Sequence, residues 1–200
     1  MSFFRELPDP PTPPRSARDP RLAASRAELP VGVPLALAVA RNDRAALVLG
    51  PIQVFSDGFE VGVNLVVRAP DEGRRPLYDP FNHHHGQDAN DVVRLALVFA
   101  DGTSAEALHG FDRGGDRTMM PQSGSGSDGR WVTSFWCWPL PPPGAIDIVC
   151  AWPAHGLAET RTSFDAGLIL EAAKKVERLW EDPPPGPSHS TSVSMISTDH

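Results

Sequence analysis

Short apolar runs, each ended within a few residues by proline, glycine or an Asp-Gly pair, fill the chain from residue 35 to residue 164. With 22 prolines and 17 glycines among 200 residues, long helices cannot dominate the chain, because proline removes a backbone donor and glycine has a low helix propensity. This punctuation is typical of all-β folds. We predict an antiparallel β-sandwich, Ig-like in architecture, with about seven or eight strands.

Alternation of apolar and polar residues places the strands. Within residues 59–68 one strand face is apolar, formed by Phe59, Val61, Val63, Leu65 and Val67. Ser56-Asp57-Gly58 joins this run to residues 45–55 in a predicted hairpin. Asp101-Gly102 joins residues 92–100 to residues 103–108 in a second hairpin. A proline-rich loop, residues 139–144, separates residues 131–138 from residues 145–152 and predicts a third hairpin. Further strands are predicted at residues 35–40 and 159–164.

One helix is predicted, over residues 166–180, with Asp165 as its N-cap. Apolar residues at helical spacing form a stripe expected to pack on one end or edge of the sandwich: Ile169, Ala172, Ala173, Val176 and Trp180. Glu171 and Lys175 have the spacing of an i,i+4 ion pair.

The two ends of the chain differ in composition from its middle. Residues 1–30 form a predicted disordered arm, because prolines among alternating charges disfavour both helix and sheet. The Pro-Pro-Thr-Pro-Pro run within it suits a linker or a polyproline II ligand. Residues 182–200 form a predicted disordered tail, and residues 31–181 form the predicted folded domain.

Charge and hydropathy exclude several classes of protein. Eighteen Lys and Arg against 25 Asp and Glu give a net charge of −7, opposite in sign to what nucleic-acid binding needs. No apolar run approaches the length of a membrane span, and the N-terminus has no export signal. We expect a soluble, cytoplasmic protein whose two cysteines remain thiols in the core.

The histidines suggest a metal site. His83, His84 and His85 are consecutive, which is an awkward spacing for chelation. If sequential strands alternate in direction, His109 and His155 lie in loops at the same end of the sandwich as these three. The rim formed by His83, His84, His85, His109 and His155 is a candidate site for zinc or another divalent metal, and its alternative is a set of solvated loop histidines.

The third predicted hairpin, residues 131–152, contains four of the five tryptophans. Trp136 and Trp138 share one strand face, whereas Phe135 and Cys137 lie on the opposite face. The face of Trp136 and Trp138 is therefore either covered by another part of the chain or exposed as a binding patch. A symmetric hairpin would also place Cys137 opposite Cys150, although a reducing compartment disfavours a disulfide there.

Gly124, Gly126 and Gly129 match the G-x-G-x-x-G spacing, but a β-type run follows them where a dinucleotide site needs a helix. We therefore predict no nucleotide site, and interpret residues 121–130 as a flexible insertion.

The segment GRWVTSFWCWPLPPPGAIDIVCAWPAHGLAETRTSFD, followed by an alanine-rich helical stretch ending in Leu179 and Trp180, resembles an uncharacterised bacterial β-sandwich protein family of unknown function. The resemblance covers residues 30–181 and is most specific between residues 136 and 153. It implies a cytoplasmic β-rich domain and assigns no site residues.

Three functions are compatible with these patterns. The first is a non-catalytic protein-interaction module that binds a protein partner or a second copy through Trp136 and Trp138. The second is a metal-binding or metal-dependent protein that uses the histidine rim. The third, a small-ligand carrier, needs a large apolar cavity. The sequence has none of the common catalytic motifs, which leaves enzymatic activity undecided.

Overall fold

The structure is a computed structural model, and it describes residues 18–68, 80–81, 89–107, 116–127 and 129–181. Residues Asp19–Glu181 form one compact unit. Its strands are β1 (Glu28–Leu29), β2 (Val31–Val33), β3 (Leu37–Arg41), β4 (Ala45–Val54), β5 (Phe59–Val67), β6 (Arg94–Phe99), β7 (Ser104–Glu106), β8 (Thr118–Ser127), β9 (Arg130–Trp138), β10 (Ala145–Trp152), β11 (Leu157–Asp165) and β12 (Glu177–Arg178). The helix α1 spans Gly167–Ala173, and short 3-10 helices lie at Ala89–Asp91 and Pro153–His155.

The strands form two large antiparallel sheets and one small one. The six-stranded sheet has the order β2-β4-β5-β9-β8, with β3 paired to β4 beside β2. The four-stranded sheet has the order β11-β10-β6-β7, and β1 pairs with β12 in a two-stranded ribbon. Alternate residues of both large sheets contribute to one buried apolar cluster, as a sandwich core requires. The predicted all-β antiparallel class is confirmed.

Two of the three predicted hairpins are confirmed and the third is wrong. β4 pairs with β5, and β6 pairs with β7 across the Asp101-Gly102 turn. However, β9 pairs with β5 and β8, whereas β10 pairs with β6 and β11. Both edges of each strand are therefore occupied, and residues 139–144 carry the chain from one sheet to the other. Cys137 and Cys150 consequently lie in different sheets, and both are free thiols.

The helix is shorter than predicted. It ends at Ala173, and residues 177–178 form β12 instead, because main-chain pairing with β1 replaces the remaining helical hydrogen bonds. Ile169 and Ala172 are buried as the apolar stripe predicted, but Trp180 lies beyond the helix and is exposed. Ala166, and not the predicted Asp165, is the N-cap of the helix, although the Asp165 carboxylate accepts a hydrogen bond from the Gly167 amide at 2.8 Å. The ion pair of Glu171 forms with Lys174 rather than with Lys175.

The glycine-rich stretch is part of a strand. Residues 121–127 belong to β8, so the prediction of a flexible insertion is wrong for this part of the chain. The Trp131 ring explains why glycines suit the strand: a Cβ atom at Gly124 or Gly126 would lie 2.8 or 2.4 Å from it. An aromatic ring on the neighbouring strand thus covers backbone that glycine leaves bare.

The folded unit begins earlier in the chain than predicted, at residue 19 rather than residue 31. Residues 19–30 contain hydrogen-bonded turns and β1, which corrects the prediction of disorder for this segment. Residues 1–17 and 182–200 lie outside the described residues. Within the described part of the chain, no helix has the length and apolar character needed to cross a membrane.

Candidate functional site

The two faces of β9 have different surroundings. Phe135 and Cys137 point into the core between the sheets, and Trp136 points to the opposite face, as the alternation predicted. Trp136 is nevertheless fully buried, with 0% of its surface exposed. The Phe55 ring meets its indole edge-on at 5.5 Å, and a Cβ atom at Gly58 would lie 2.6 Å from it. The β4–β5 turn therefore packs directly against this tryptophan.

The rest of the cover comes from residues 19–29, which we call the N-terminal strap. It begins with a turn in which the Leu22 amide donates to the Asp19 carbonyl at 3.1 Å. The Asp19 carboxylate also accepts the Arg21 amide at 3.0 Å, and Pro20 occupies the second turn position. Aspartate followed by proline favours this geometry, because the carboxylate bonds the backbone two residues on and proline fixes its own φ.

Three successive carbonyls of this turn accept hydrogen bonds from side chains of the six-stranded sheet. Trp136 Nε1 donates to the Pro20 carbonyl at 2.8 Å. Thr118 Oγ1 donates to the Arg21 carbonyl at 2.9 Å, and Gln122 Nε2 donates to the Leu22 carbonyl at 3.0 Å. The sheet therefore binds the main chain of the turn through its own side chains.

Register explains why these donors converge. Thr118 lies opposite Trp138 in the β8–β9 ladder, and Met120 lies opposite Trp136, so all four side chains share the outer face. A register shift between Pro121 and Gly124 interrupts the ladder at Gln122. Bulges of this kind commonly redirect side chains, and here Gln122 extends to the strap.

Charged side chains hold the two ends of the strap. The Arg21 guanidinium lies over the Trp138 ring, 5.3 Å from its centroid. At the other end, the buried Glu28 carboxylate accepts the Ser56 amide at 3.0 Å and the Ser56 hydroxyl at 2.6 Å. Leu179 also donates its amide to the Ala27 carbonyl at 2.7 Å, which ties the strap to the segment that includes β12.

We call the surface formed by Thr118, Gln122, Trp136 and Trp138 the turn groove. The structure brings the two predicted binding residues, Trp136 and Trp138, together in it. Trp136 is not an exposed anchor, however, because the strap covers it, so internal cover is the correct alternative at this position. No pattern in the sequence pointed to Thr118 or Gln122, and the Asp19-Pro20 turn signature was the one local signal for the strap.

Of the five histidines of the predicted rim, His155 alone lies among the described residues. Its ring lies 3.9 Å from that of Trp152, and its carbonyl accepts the Asn42 side-chain amide at 2.8 Å. The 3-10 helix at Ala89–Asp91 lies nearby, since Trp152 Nε1 donates to the Asp91 carbonyl at 3.1 Å. His83, His84, His85 and His109 lie outside the described residues. The described residues contain no group of three or more His, Cys, Asp or Glu that could hold a metal ion.

The two thiols are protected from ionisation. Burial raises the pKa of Cys137 far above its usual range, and the Glu60 charge acts in the same direction. Burial also raises the pKa of Cys150, partly offset by its hydrogen-bonding contact with Thr160. Both side chains therefore remain neutral near pH 7, and neither is an activated nucleophile.

A cleft of about 360 Å³ lies against the four-stranded sheet. Ala96, Val149 and Ala151 contribute apolar surface, and the exposed side chains of Arg94 and Glu159 are also at its lining. This arrangement provides apolar surface with a few charged groups at its lining.

The β1–β12 ribbon and the two residues that follow β12 carry the most exposed large apolar side chains in the described part of the chain. Trp180 is 59% exposed, Leu29 is 51% exposed and Leu179 is 48% exposed. Leu29 lies opposite Glu177, and Leu179 is two residues further on, so both leucines are on one side of the ribbon. We call Leu29, Leu179 and Trp180 the ribbon patch.

No protein-family model, no curated protein and no solved structure matches the chain.

Proposed function

We propose that the chain is a cytoplasmic, non-catalytic protein-interaction module whose binding site is the turn groove. The observation that supports this proposal most directly is the set of three side-chain donors, on Thr118, Gln122 and Trp136, that bind successive carbonyls of one turn. Two free, buried cysteines are compatible with a reducing compartment.

The chemistry of the groove indicates the class of partner. The side-chain donors of the groove bind main-chain carbonyls, which every segment with the same turn geometry presents. They therefore supply affinity with little dependence on the sequence of the partner. The Trp138 ring adds preference for a cation at the third turn position, where Arg21 lies now. The proposed ligand is therefore an Asp-Pro-Arg turn in a protein chain, and the strap occupies the groove as an intramolecular version of it.

A labelled peptide of residues 18–29 tests the proposal by fluorescence anisotropy against the full-length chain. Arg21→Ala in the chain weakens the binding of the chain's own strap to the turn groove. The unmodified peptide should therefore bind this variant more tightly than it binds the wild-type chain. A cation–π contact of about 0.5–1 kcal/mol corresponds to a change of roughly two- to fivefold.

The matched control is Arg26→Ala, which removes another exposed arginine of the strap whose side chain makes no hydrogen bond, ion pair or ring contact among the described residues. It should leave peptide affinity unchanged. A peptide carrying the Arg21→Ala change should bind more weakly to every chain. If neither strap variant shows saturable peptide binding, the turn groove is only internal packing and the proposal is wrong.

A further inference from the structure

β8 is the outer strand of the six-stranded sheet, since it pairs with β9 on one side only. Its residues 121–127 are all exposed. Among the described residues, none of them forms a backbone–backbone hydrogen bond outside the β8–β9 ladder. The free edge of this part of β8 therefore presents main-chain donors and acceptors to solvent.

The register identifies which main-chain groups face outward. The Val67 amide donates to the Gly129 carbonyl at 2.7 Å at the end of the β5–β9 ladder, so the odd-numbered residues of β9 bond β5. Alternate residues of a strand bond its two neighbours, and the even-numbered residues of β9 therefore bond β8. Gly124 and Gly126 lie opposite odd-numbered residues of β9. Their amides and carbonyls consequently point to the free edge.

The other edges of the two large sheets have features that disfavour further pairing. β11 has exposed charged side chains at Glu159, Arg161 and Asp165, and charges on an edge strand oppose the approach of another strand. β7 has three residues, and β2 and β3 are short strands with Pro34 between them. Residues 123–127 of β8, Ser-Gly-Ser-Gly-Ser, contain no charge, no proline and no long side chain. Of the described edges, this segment is the most open to an added strand.

The indole of Trp131 supplies a second observation at the same place. Its ring covers the two glycines of β8 on the side of the sheet that faces the core. Among the described residues, its Nε1 is the one buried side-chain nitrogen or oxygen atom without a hydrogen-bond partner. This atom lies at the Gly124 end of the ring, 3.2 Å from where a Cβ atom of that residue would lie. A buried donor without an acceptor costs free energy, which an acceptor on an adjacent strand would recover.

We propose that residues 123–127 of β8 pair with an extended segment of a partner protein, which adds a strand to the six-stranded sheet. The segment is uncharged where it lies beside the Ser-Gly repeat, and one of its side chains presents a hydrogen-bond acceptor to the Trp131 Nε1. Strand addition of this kind draws affinity from main-chain hydrogen bonds and specificity from alternate side chains. This surface is separate from the turn groove, and it takes an extended segment rather than a turn.

A second copy of the chain fits this edge less well. Paired antiparallel about a two-fold axis through the sheet, it would present its own glycines on the side of Trp131, and glycine has no side-chain acceptor. Each copy also carries a net charge of −7, which opposes the association of like chains. The unpartnered indole donor therefore favours a partner with a different sequence.

A peptide titration tests the added strand. The labelled probe is a short peptide of alternating threonine and valine with a lysine at each end, and its binding to the full chain is followed by fluorescence anisotropy. Both residues favour an extended backbone, and threonine supplies a hydroxyl acceptor. Saturable binding is expected. A peptide of alternating alanine and valine lacks the acceptor and should bind about two- to tenfold more weakly, as expected for the loss of one hydrogen bond.

Trp131→Phe removes the indole donor and keeps an aromatic ring at this position. The ratio between the affinities of the two peptides should therefore fall toward one in this variant. In the wild-type chain, the NMR signal of the Trp131 indole N–H should move downfield when the threonine peptide is added. An unchanged ratio together with an unchanged indole signal would overturn the assignment of the acceptor, and with it the proposed partner.

Two lysine substitutions locate the bound peptide. Ser125→Lys places a charge on the β8 edge and should reduce the affinity. Ser104→Lys is the matched control, because it makes the same change at an exposed serine of β7, an edge strand of the other large sheet. Equal effects of the two substitutions, or no saturable binding to the wild-type chain, would overturn strand addition at β8. A dimer of the chain alone that Ser125→Lys dissociates, as measured by sedimentation, would assign the edge to a second copy and overturn the proposed partner.

Discussion

The two faces of β9 are buried by different physical means. On the inner face, Phe135 packs edge-on against Phe81 with ring centroids 5.0 Å apart, and the opposite sheet completes an apolar core. On the outer face, Trp136 packs against Phe55 of the β4–β5 turn, and the rest of its cover is a short segment that depends on carbonyl hydrogen bonds, one carboxylate and one arginine. The inner face is part of the cooperative core, whereas the outer cover consists of separate, mostly polar attachments. Equal burial thus does not imply equal resistance to opening.

The largest difference is expected from truncation of the inner face. Phe135→Ala should reduce the free energy of unfolding by about 3–5 kcal/mol, because it removes a buried ring and leaves a cavity. Chemical denaturation monitored by circular dichroism measures the loss. Val132→Ala, on the same strand but 40% exposed, is the control and should change stability by less than about 0.5 kcal/mol. Similar losses in the two variants would contradict the assignment of Phe135 to the core.

Loosening the outer cover should have a smaller and more local effect. Glu28→Ala leaves the Ser56 amide and hydroxyl without their acceptor and should cost about 1–3 kcal/mol. Hydrogen exchange should accelerate at the amides of Leu22 and Leu179, which bond the strap, and remain slow at Val63 in the large sheet.

Glu177→Ala is the matched control for this experiment, since it removes an exposed carboxylate of the same ribbon that accepts no hydrogen bond among the described residues. Uniform acceleration of exchange across strap and sheet in Glu28→Ala would show that the two faces of β9 open together, and the distinction between them would fail.

The smallest effect is expected from acid titration at the β6–β7 turn. Hydrogen bonds from the Thr103 hydroxyl and amide, with the Arg117 guanidinium, lower the pKa of Asp101. A folded-state pKa below the unfolded value stabilises the fold above the unfolded pKa, and this contribution is lost as pH falls through the folded one. Asp101→Asn should therefore flatten the acid side of the stability profile below about pH 4.

The Asp101 carboxyl titration can be followed directly by NMR. Thr103→Val removes the hydroxyl donor and should raise the pKa of Asp101 relative to wild type. An unchanged titration in that variant would mean that the hydroxyl contributes nothing. The Arg117 guanidinium lies over the ring of the core residue Phe99, 4.3 Å from its centroid. Thr103→Val therefore changes contacts beside the core between the two large sheets, and it should leave the hydrogen-exchange rates of the strap amides unaffected.

Local patterns in the sequence predicted much of the fold. Alternation placed most strands of the two large sheets and separated Trp136 from Phe135, because the side-chain period of a strand is a property of the backbone. Turn residues identified the β4–β5 and β6–β7 hairpins for the same local reason. The Asp19-Pro20 signature also lay in the sequence, and only its surroundings of prolines and charges made the segment resemble a disordered arm.

What the sequence determined by itself is the alternation of faces, the short-range turns and the all-β class, since each depends on neighbouring residues. Tertiary structure decided which sheet β10 joins, where the helix stops and what covers Trp136. Those outcomes depend on partners distant in the chain: β6 for β10, β1 for residues 177–178, and the Pro20 carbonyl for an indole 116 positions away. Their free energies arise only when the segments meet, so no local pattern encodes them.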